Sequence, residues 1–437
     1  MPAVPLDNPL TDPLAHARSA FGFRVRTVSA AFCLAAAALL GGCGGGSSSS
    51  SAASGSAATA TAPEGPVSAN SVAVYVDAGP AGSGYNANRL YTDVTVCPPS
   101  GASPCQTIPH ILVDTGSTGL RLLSSAMDSS MKLAAVTGSG GQALVNCVRF
   151  VDGSFGWGPV VSAHVRLGAK QASNVPIQVM ADPAVAGSAS RCSGGSATPI
   201  TSASALGANG ILGVGLFKED CGSACVASAA PGHYFRCGNA SCSSVVGSVA
   251  ALSSQVKNPV PLFASDNNGV MIALPAPDAA NRARLDGLLV FGIGTQANNQ
   301  FAGSKVLPTD ALGYITATYE GRALPVSFID SGSNGLFVDS STLPLCLGGV
   351  SFYCPAVLTA QVVILTGTSG GSVQVDFLVE NATASFVGSN PVLPYLVGDF
   401  GSARTFDLGL PFFYGRRVFF GIEGMSSPLG TGPFYAF

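Results

Sequence analysis

Two distant segments of the chain carry nearly the same residues around an aspartate. The first is ILVDTGSTGLRLLSS, from Ile111 to Ser125, and the second is FIDSGSNGLFVDSS, from Phe328 to Ser341. With Asp114 and Asp330 aligned, both copies fit D-[TS]-G-S-[TN]-G-L-x-[LV]-x-S-S. The separation of 216 residues is too long for a solenoid repeat, whose period is about 20–50 residues. It predicts two whole lobes that each carry one copy of a site.

The two aspartates could work as an acid–base pair. Each ends an apolar run and is followed by Thr or Ser and then by Gly, which permits a sharp turn and close backbone approach. Two carboxyls that face each other across a few ångströms cannot both ionise cheaply, so one of them keeps a proton. A water held between them meets a base and an acid at once. Such a pair can hydrolyse an amide without a metal or a covalent intermediate.

The elements that would position this pair are predicted to be strands. Short apolar runs alternate with Gly, Ser, Asn and Pro, and the chain contains 55 Gly and 29 Pro, which indicates a mostly β protein. In the first half the predicted strands lie in SVAVYVDAG, LYTDVTVC, IPHILVD, GPVVSAHVRLG, VPIQVMA and ANGILGVGLF. In the second half they lie in GLLVFGIG, GYITATYEG, LPVSFID, AQVVILTG, SVQVDFLVE and FDLGLPFFYGRRVFFGIEG.

Composition narrows the class of protein. The 437 residues suffice for two domains, and 47% of them are hydrophobic, so a large core can form. Only 10% are charged and the net charge is −3, which argues against a nucleic-acid partner, because such proteins carry a basic field. We expect a monomer with no cofactor and no metal. The histidines show no metal-ligand spacing.

Residues 1–43 are interpreted as an export signal. Three arginines precede an apolar stretch over residues 28–40, which is followed by Gly-Gly and Cys43. A basic region, a short apolar region and small residues before a cut are typical of a secretory signal. The apolar stretch is short for a membrane span.

The end of that segment resembles the lipobox of bacterial lipoproteins. The resemblance implies cleavage before Cys43 and lipidation of its sulfur, and Gly44 after it implies the outer membrane, on its periplasmic or surface face. The alternative is an ordinary signal peptide with an incidental cysteine. Residues 44–69 consist mainly of Gly, Ser, Ala, Thr and Pro and predict a flexible tether.

Ten cysteines follow Cys43, and an even number in an exported chain predicts disulfides. Short separations indicate Cys97–Cys105 and Cys346–Cys354, and a Cys147–Cys192 pair is compatible with the remainder. The quartet left over could form two disulfides or a zinc cluster. The oxidising compartment favours disulfides, with their connectivity open. The quartet comprises Cys221, Cys225, Cys237 and Cys242.

The repeat resembles the two active-site motifs of pepsin-like aspartic peptidases. VDTGS and IDSGS match those motifs, NGILGVG over 209–215 resembles the element that braces the first aspartate loop, and DLGLPFFYGRRVFFG over 407–421 resembles the second bracing element and final strand. The elements occur in the right order from about residue 71 to 421. The chain also resembles an uncharacterised family of bacterial lipoproteins with a VDTGS-type core.

This resemblance implies an all-β, bilobal fold with an interlobe cleft. The N-terminal lobe is expected over 70–278, with a Cys-rich insertion at 218–244, and the C-terminal lobe over 279–437. Asp114 and Asp330 would be the catalytic dyad. The supporting residues implied by the motifs are Thr115 and Ser331 between the loops, Gly116 and Gly332 in the turns, and Ser117 and Ser333 on the outer carboxylate oxygens.

Three positions depart from that family's pattern. The flap stretch FVDGSFGWG contains no Tyr, so its aromatic candidates are Phe150, Phe155 and Trp157. An aromatic partner expected after the first motif is replaced near Arg121. Asp407 stands where the second bracing element usually has an apolar residue, and it could be a solvated strand end or a third acid near the site.

Three functions are compatible with these features. The first is an aspartic endopeptidase of the cell envelope that cuts peptide or protein substrates, best at acidic pH. The second is an inactive pepsin-like lipoprotein that binds peptides or envelope partners, and the third is a structural envelope lipoprotein. GTSGG over 367–371 matches the serine-hydrolase pattern G-x-S-x-G, but that pattern needs a following helix. A predicted strand follows here, so a hairpin turn is expected.

Overall fold

The computed structural model describes residues 67–99, 104–138, 140–193, 197–278, 282–303 and 305–437. The predicted export signal over 1–43, its lipidation site Cys43 and the tether up to residue 66 lie outside this part of the chain. Among the described residues, no helix has the length and the apolar character that crossing a bilayer requires.

Strands dominate the first half of the described chain. In chain order they are β1 (Ser71–Val76), β2 (Leu90–Cys97), β3 (Gln106–Asp114), β4 (Thr118–Leu123), β5 (Ala134–Ala135), β6 (Leu144–Arg149), β7 (Ser154–Leu167), β8 (Lys170–Met180), β9 (Thr198–Pro199), β10 (Gly210–Val214), β11 (Tyr234–Cys237), β12 (Val245–Gly247) and β13 (Gly269–Leu274).

Strands also dominate the second half. They are β14 (Leu285–Phe291), β15 (Val306–Pro308), β16 (Ile315–Tyr319), β17 (Arg322–Ile329), β18 (Leu336–Val338), β19 (Thr359–Thr366), β20 (Ser372–Val379), β21 (Val397–Gly398), β22 (Phe406–Leu408), β23 (Arg416–Gly421), β24 (Ser426–Ser427), β25 (Gly430–Thr431) and β26 (Phe434–Ala436).

The helices are short. The α-helices are α1 (Ser190–Ser193), α2 (Ala203–Leu206), α3 (Ser223–Ala227) and α4 (Ala382–Val387), and the 3₁₀ turns are Ser124–Ala126, Ala186–Ser188, Leu252–Ser254, Val260–Leu262, Ala297–Asn299 and Leu410–Phe413. The predicted strands are thus present. The GTSGG segment is the turn between β19 and β20, as expected, and the element that follows it directly is a strand.

The sequence repeat appears as one strand arrangement built twice. In the first lobe β10 runs parallel to β3 and antiparallel to β4, and β4 runs parallel to β8. In the second lobe β22 runs parallel to β17 and antiparallel to β18, and β18 runs parallel to β21. Because β3 and β17 lead to Asp114 and Asp330, both aspartates emerge at equivalent points of their lobes.

A shared sheet joins the two halves of the chain. The order β1–β14–β13–β23–β26–β15 is antiparallel throughout and brings strands from both ends of the sequence together. Its side chains are largely apolar and buried, including Val74, Ile272, Leu289 and Phe420. The predicted boundary between residues 278 and 279 borders residues 279–281, which lie outside the described chain, so the lobe limits stay a prediction.

Five disulfides join the ten cysteines. The pairs are Cys97–Cys105, Cys147–Cys192, Cys221–Cys225, Cys237–Cys242 and Cys346–Cys354. The quartet therefore forms two disulfides, each between its nearest neighbours in sequence, and the zinc alternative is wrong.

The Cys-rich insertion packs against the β6–β7 hairpin. Strand β11 of the insertion pairs antiparallel with β6, and β12 pairs with β11. On the other side of the hairpin, β9 pairs with β7, so the order is β12–β11–β6–β7–β9. The hairpin is consequently the middle of a small sheet rather than a free ribbon.

Candidate active site

Asp114 and Asp330 lie at the ends of buried strands. Asp114 is the last residue of β3, and Asp330 follows the last residue of β17. Apolar neighbours such as Val113 and Ile329 are fully buried and fix the two strand ends in the core. The aspartate side chains are themselves 6% and 7% exposed, so both carboxyls are largely removed from bulk water.

The loops that carry the aspartates hold each other. The Ser331 N–H donates to Thr115 Oγ1 at 2.9 Å, and the Thr115 N–H donates to Ser331 Oγ at 3.2 Å. The Ser331 hydroxyl donates in turn to the carbonyl oxygen of Val113 at 2.8 Å. These reciprocal hydrogen bonds lock the two copies of the repeat against each other, in the place that the motifs predicted for Thr115 and Ser331.

The two carboxyls accept matching hydrogen bonds. Asp114 Oδ1 accepts from the N–H of Gly116 at 2.8 Å and of Ser117 at 3.1 Å, and its Oδ2 accepts from the Ser117 hydroxyl at 2.5 Å. Asp330 Oδ1 accepts from the Gly332 N–H at 2.7 Å, and its Oδ2 accepts from the Ser333 hydroxyl at 2.9 Å. Each aspartate is therefore oriented by the Gly and Ser of its own loop, and Asp330 Oδ1 also accepts from the Gly116 N–H at 2.9 Å.

Glycine is required in both turns because the opposite carboxyl occupies the space beside it. A Cβ atom on Gly116 would lie 2.6 Å from Asp330 Cγ, and one on Gly332 would lie 2.7 Å from Asp114 Oδ1. The two loops can meet this closely only without side chains at these positions. The arrangement places the carboxyls side by side, as a dyad needs.

The pKa of Asp114 differs from that of a free aspartate. Burial, followed by the negative charge of Asp330, raises the pKa of Asp114 well above its usual value. Because both causes penalise a second negative charge, the pair keeps one proton between its two carboxyls. The pair then offers one acid and one base to a molecule between them.

The tip of the β6–β7 hairpin covers the dyad. Phe150 at this tip lines the cavity on either side of the two aspartates, together with Val151. The other flap candidates do not face the cleft. Phe155 and Trp157 are two residues apart on β7, so both point to the opposite side, where Trp157 packs on Phe235 with ring centroids 5.2 Å apart.

Trp157 is held there by a hydrogen bond from its indole N–H to the Val185 carbonyl oxygen at 2.8 Å. The prediction that Trp157 or Phe155 covers the cleft is therefore wrong. Phe150 is the aromatic residue at the tip of the flap. A phenyl ring contains no hydroxyl, so this flap can shield the dyad from water but cannot donate a hydrogen bond at that point.

Arg121 anchors the base of the flap from within the core. It is 1% exposed and donates through Nη1 to Asn146 Oδ1 at 2.7 Å and to Gln178 Oε1 at 2.6 Å. Its Nη2 donates to Asp220 Oδ2 at 3.0 Å, and the Tyr234 hydroxyl donates to the other oxygen of Asp220 at 2.5 Å. Arg121 therefore ties the flap strand β6 to the Cys-rich insertion by a buried ion pair.

The cleft extends to both sides of the dyad. One cavity of about 210 Å³ and another of about 330 Å³ both include Asp114, Asp330 and Phe150 in their walls. The first is bordered by apolar residues of the N-terminal lobe, such as Leu112 and Ile211, and the second by Tyr314 and Phe328. An extended chain that crossed the dyad would occupy both cavities.

Asp407 lies in the wall of the first cavity. It is 2% exposed, and its Oδ1 has no hydrogen-bond partner among the described residues. Burial, followed by the charges of Asp330 and Asp114, raises its pKa well above the usual value. Of the two interpretations from sequence, the solvated strand end is wrong, and Asp407 is a third acid beside the dyad.

Asp399 is a further acid of this cavity that the sequence did not indicate. It lies against Asp339, and burial, followed by the hydrogen bond between the two carboxyls, raises the pKa of Asp399 to about 6. Its position depends on how the β21 end meets the loop after β18, and no local motif marks that contact. In the described part of the chain, no group of three or more His, Cys, Asp or Glu residues is arranged to hold a metal ion.

Comparison with known proteins identifies a family whose function is not assigned. The model of a family described as "Protein of unknown function (DUF3443)" matches residues 66–437. No curated protein sequence matches the chain significantly. Among solved structures, the crystal structure of aspartic proteinase from Irpex lacteus is similar at 15% sequence identity and a TM-score of 0.46, covering 84% of this chain and 96% of that chain.

Proposed function

The chain belongs to the family described as "Protein of unknown function (DUF3443)", and we propose that this member is an aspartic endopeptidase with the dyad Asp114 and Asp330. Its fold is the all-β, bilobal fold of pepsin-like aspartic peptidases, as the sequence motifs predicted. The observation that carries the proposal is the pair of buried carboxyls side by side at the junction of the lobes.

The geometry supports a water-mediated mechanism. A water held between the carboxyls loses a proton to the ionised carboxyl of the pair and attacks the carbonyl carbon of a peptide bond. The protonated carboxyl donates its proton to the carbonyl oxygen, which gives a neutral tetrahedral diol. Collapse of the diol breaks the C–N bond, returns a proton to the leaving amine and restores the pair with a single proton. The Ser117 and Ser333 hydroxyls keep the outer oxygens fixed through these steps.

The shape of the cleft supports a peptide substrate. Cavities continue on both sides of the dyad, and their walls are mostly apolar, with Leu112, Ile211, Phe328 and Tyr314 among them. An extended peptide placed across the dyad could bury alternate side chains on either side. Phe150 at the flap tip would close over the scissile bond and exclude water.

We place this activity in the cell envelope. Five disulfides support an oxidising compartment. The sequence before residue 67 supports export and a lipid anchor at Cys43, with the outer membrane as the attachment site. On this proposal the protein is a monomer that meets the membrane through its anchor and meets peptides or proteins through its cleft.

Turnover tests the proposal. Full-length protein, extracted in detergent with its disulfides formed, is incubated with a diverse peptide library from acidic to neutral pH. We expect the rate of cleavage to fall at least about 100-fold in Asp114→Asn and in Asp330→Asn. The control Asp376→Asn, which removes an exposed carboxylate from β20, should keep the rate of the wild type.

A folded parent that cuts no peptide at any pH would overturn the peptidase proposal. Binding of peptides without cleavage would then support an inactive pepsin-like protein that captures peptides or envelope partners. Binding of no peptide at all would leave the structural role as the remaining function.

A further inference from the structure

The two cavities beside the dyad differ in the charged residues of their walls. Besides the dyad, the first cavity is bordered by three acids, Asp152, Asp399 and Asp407. The second cavity has no acid other than the dyad among the described residues of its wall, and it includes the cation Arg149. The dyad faces both cavities and cannot distinguish them. Any difference in the side chains that they accept must therefore come from the other residues.

The three acids border the first cavity from two directions. Asp152 lies in the tip of the flap hairpin, between β6 and β7, whereas Asp399 directly follows β21 and Asp407 lies on β22 of the second lobe. Within the described parts of the chain, none of the three forms an ion pair. No cation of the protein is thus committed to these carboxyls, and a cationic ligand can meet them.

Asp407 independently indicates a hydrogen-bond donor on the ligand. It is 2% exposed, and its Oδ1 has no hydrogen-bond partner among the described residues. Buried polar atoms in proteins are rarely left without a partner. Because Asp407 lies in the wall of the first cavity, a donor group bound there could serve this oxygen. A carboxyl can accept a hydrogen bond whether or not it is protonated, so the raised pKa of Asp407 does not remove the acceptor.

The remainder of the first cavity suits an aliphatic chain. Leu112, Ile200, Leu206 and Ile211 form an apolar part of its wall, and all four are buried. Lys and Arg side chains pack their methylene stems on apolar surface and keep the charged end among polar groups. A wall that is apolar in one part and acidic in another matches both parts of such a side chain.

Arg89 is the cation of the first cavity, and it lies beside Gly207 at the end of α2. A Cβ on Gly207 would lie 2.7 Å from Arg89 Nε. Arg89 forms no ion pair with the three acids in the described chain. One cation therefore stands against three carboxyls, which favours a cationic ligand over an anionic one.

We propose that the first cavity is a specificity subsite for a Lys or Arg side chain of the substrate, and that the second cavity takes an apolar or aromatic side chain on the other side of the scissile bond. Asp152 and Asp399 determine the preference for the cation, and Asp407 supplies a further acceptor. The second cavity suits its occupant because Phe217, Tyr314 and Phe328 lie in its wall. This inference rests on the proposed function and names the class of peptide that the site takes.

Cleavage of matched peptides by the full-length protein tests the subsite. The peptides carry Lys, norleucine or Glu at one position at a time on either side of the scissile bond. Lys and norleucine share an unbranched aliphatic stem and differ by the ammonium group. We expect one position at which kcat/KM for Lys exceeds that for norleucine at least about 10-fold, with Glu poorer than norleucine. The comparison is made at the highest pH that supports cleavage, because the pKa of Asp399 is about 6.

The variants Asp152→Asn and Asp399→Asn connect this preference to the proposed residues. Asn keeps the size of the side chain, and in Asp152→Asn it keeps an acceptor for the Ser154 N–H. Each variant should lower the ratio of kcat/KM for Lys to kcat/KM for norleucine at least about 3-fold. A ratio is insensitive to losses of folded protein that affect both peptides equally. The exposed control Asp376→Asn should keep the ratio of the wild type.

Three results would overturn the proposal. In the first, Lys is no better than norleucine at any position. In the second, Lys is preferred but both variants keep the ratio of the wild type. In the third, Glu is preferred at a position and Arg89→Gln abolishes that preference, which would assign the first cavity to an anionic side chain.

Binding separates this inference from the peptidase function. The same peptides are made with an uncharged hydroxyethylene group in place of the scissile amide, and calorimetry measures their affinity. We expect the Lys peptide to bind the wild type at least about 10-fold more tightly than the norleucine peptide, and Asp399→Asn to reduce this difference. Such binding by a protein that cuts nothing would support the subsite and reject only the peptidase. Equal binding of the two peptides by an active peptidase would overturn the subsite alone, and binding of neither would overturn it as well.

Discussion

The backbone N–H of Gly116 donates to Asp330 Oδ1 at 2.9 Å, although the two residues belong to different copies of the repeat. The same N–H donates to Asp114 Oδ1 at 2.8 Å. One donor therefore bridges both carboxyls and fixes their spacing. This bridge adds to the reciprocal Thr115–Ser331 hydrogen bonds that hold the two loops together.

Gly116→Ala should separate the carboxyls. The added Cβ would lie 2.6 Å from Asp330 Cγ, so the loops must move apart. We expect activity to fall by about 100-fold, because small displacements of reacting groups have effects of this size, and the free energy of unfolding to fall by about 1–3 kcal/mol. Peptide cleavage and urea denaturation measure the two effects.

Gly187→Ala is the matched control, because a Cβ there would meet nothing within 4 Å. If Gly116→Ala is as active as Gly187→Ala, the spacing of the dyad does not depend on this contact.

Arg121→Met should destabilise the N-terminal lobe strongly. The substitution leaves Asp220 buried without its cation, and Asn146 and Gln178 lose a shared donor. Removing one partner of a buried ion pair usually costs about 3–5 kcal/mol, and urea denaturation with intact disulfides measures this loss. Arg166→Met, at an exposed position on β7, should have little effect. A loss below about 1 kcal/mol for Arg121→Met would contradict the role of this ion pair.

Asp399→Asn should change how stability depends on pH. Burial, followed by the hydrogen bond with Asp339, raises the pKa of Asp399 from its usual 3.8 to about 6 in the folded protein. A raised pKa gives stability that is fully present below the unfolded value and is lost as pH rises through the folded value. The wild type should therefore lose stability relative to Asp399→Asn between about pH 4 and pH 7. Denaturation at several pH values measures the difference, and a constant offset would argue against this titration.

Removal of the Cys147–Cys192 disulfide should loosen the flap. This bond closes a 45-residue separation and joins β6 to α1. Replacing both cysteines by Ala should lower the free energy of unfolding by about 2–4 kcal/mol and speed hydrogen exchange in β6. Removal of Cys346–Cys354 is the control, because that disulfide lies in the second lobe. Equal exchange in β6 for both variants would show that the disulfide does not hold the flap.

The sequence predicts the two-lobed fold because its main signals are local. Each copy of the motif contains the strand end, the tight turn and the hydroxyls that orient its own aspartate, so Asp114 and Asp330 could be found without knowledge of the rest. Strand β6 was not predicted, since Asn146 and Arg149 interrupt its apolar pattern. Strand β13, GVMIAL, is a continuous apolar run that could have been recognised.

What the sequence did not predict depends on contacts between distant residues. The partner of Arg121 is Asp220, 99 residues away, and no motif links them. Phe155 and Trp157 were misplaced because the side that a strand residue faces follows from its register with β6 and β9. The burial of Asp407 likewise required the pairing of β22 with β17 and β18.

The flap hairpin has neighbours along both of its edges, β11 beside β6 and β9 beside β7. A hairpin that is paired along both edges can move mainly at its tip, around residues 150–153. The cavities beside the dyad lie under this tip, with Phe150 and Val151 in their walls, so the hairpin limits the space to that of an extended segment of polypeptide. On the proposed peptidase function, this attachment favours cleavage of chain ends, linkers and unfolded segments over cleavage of folded domains.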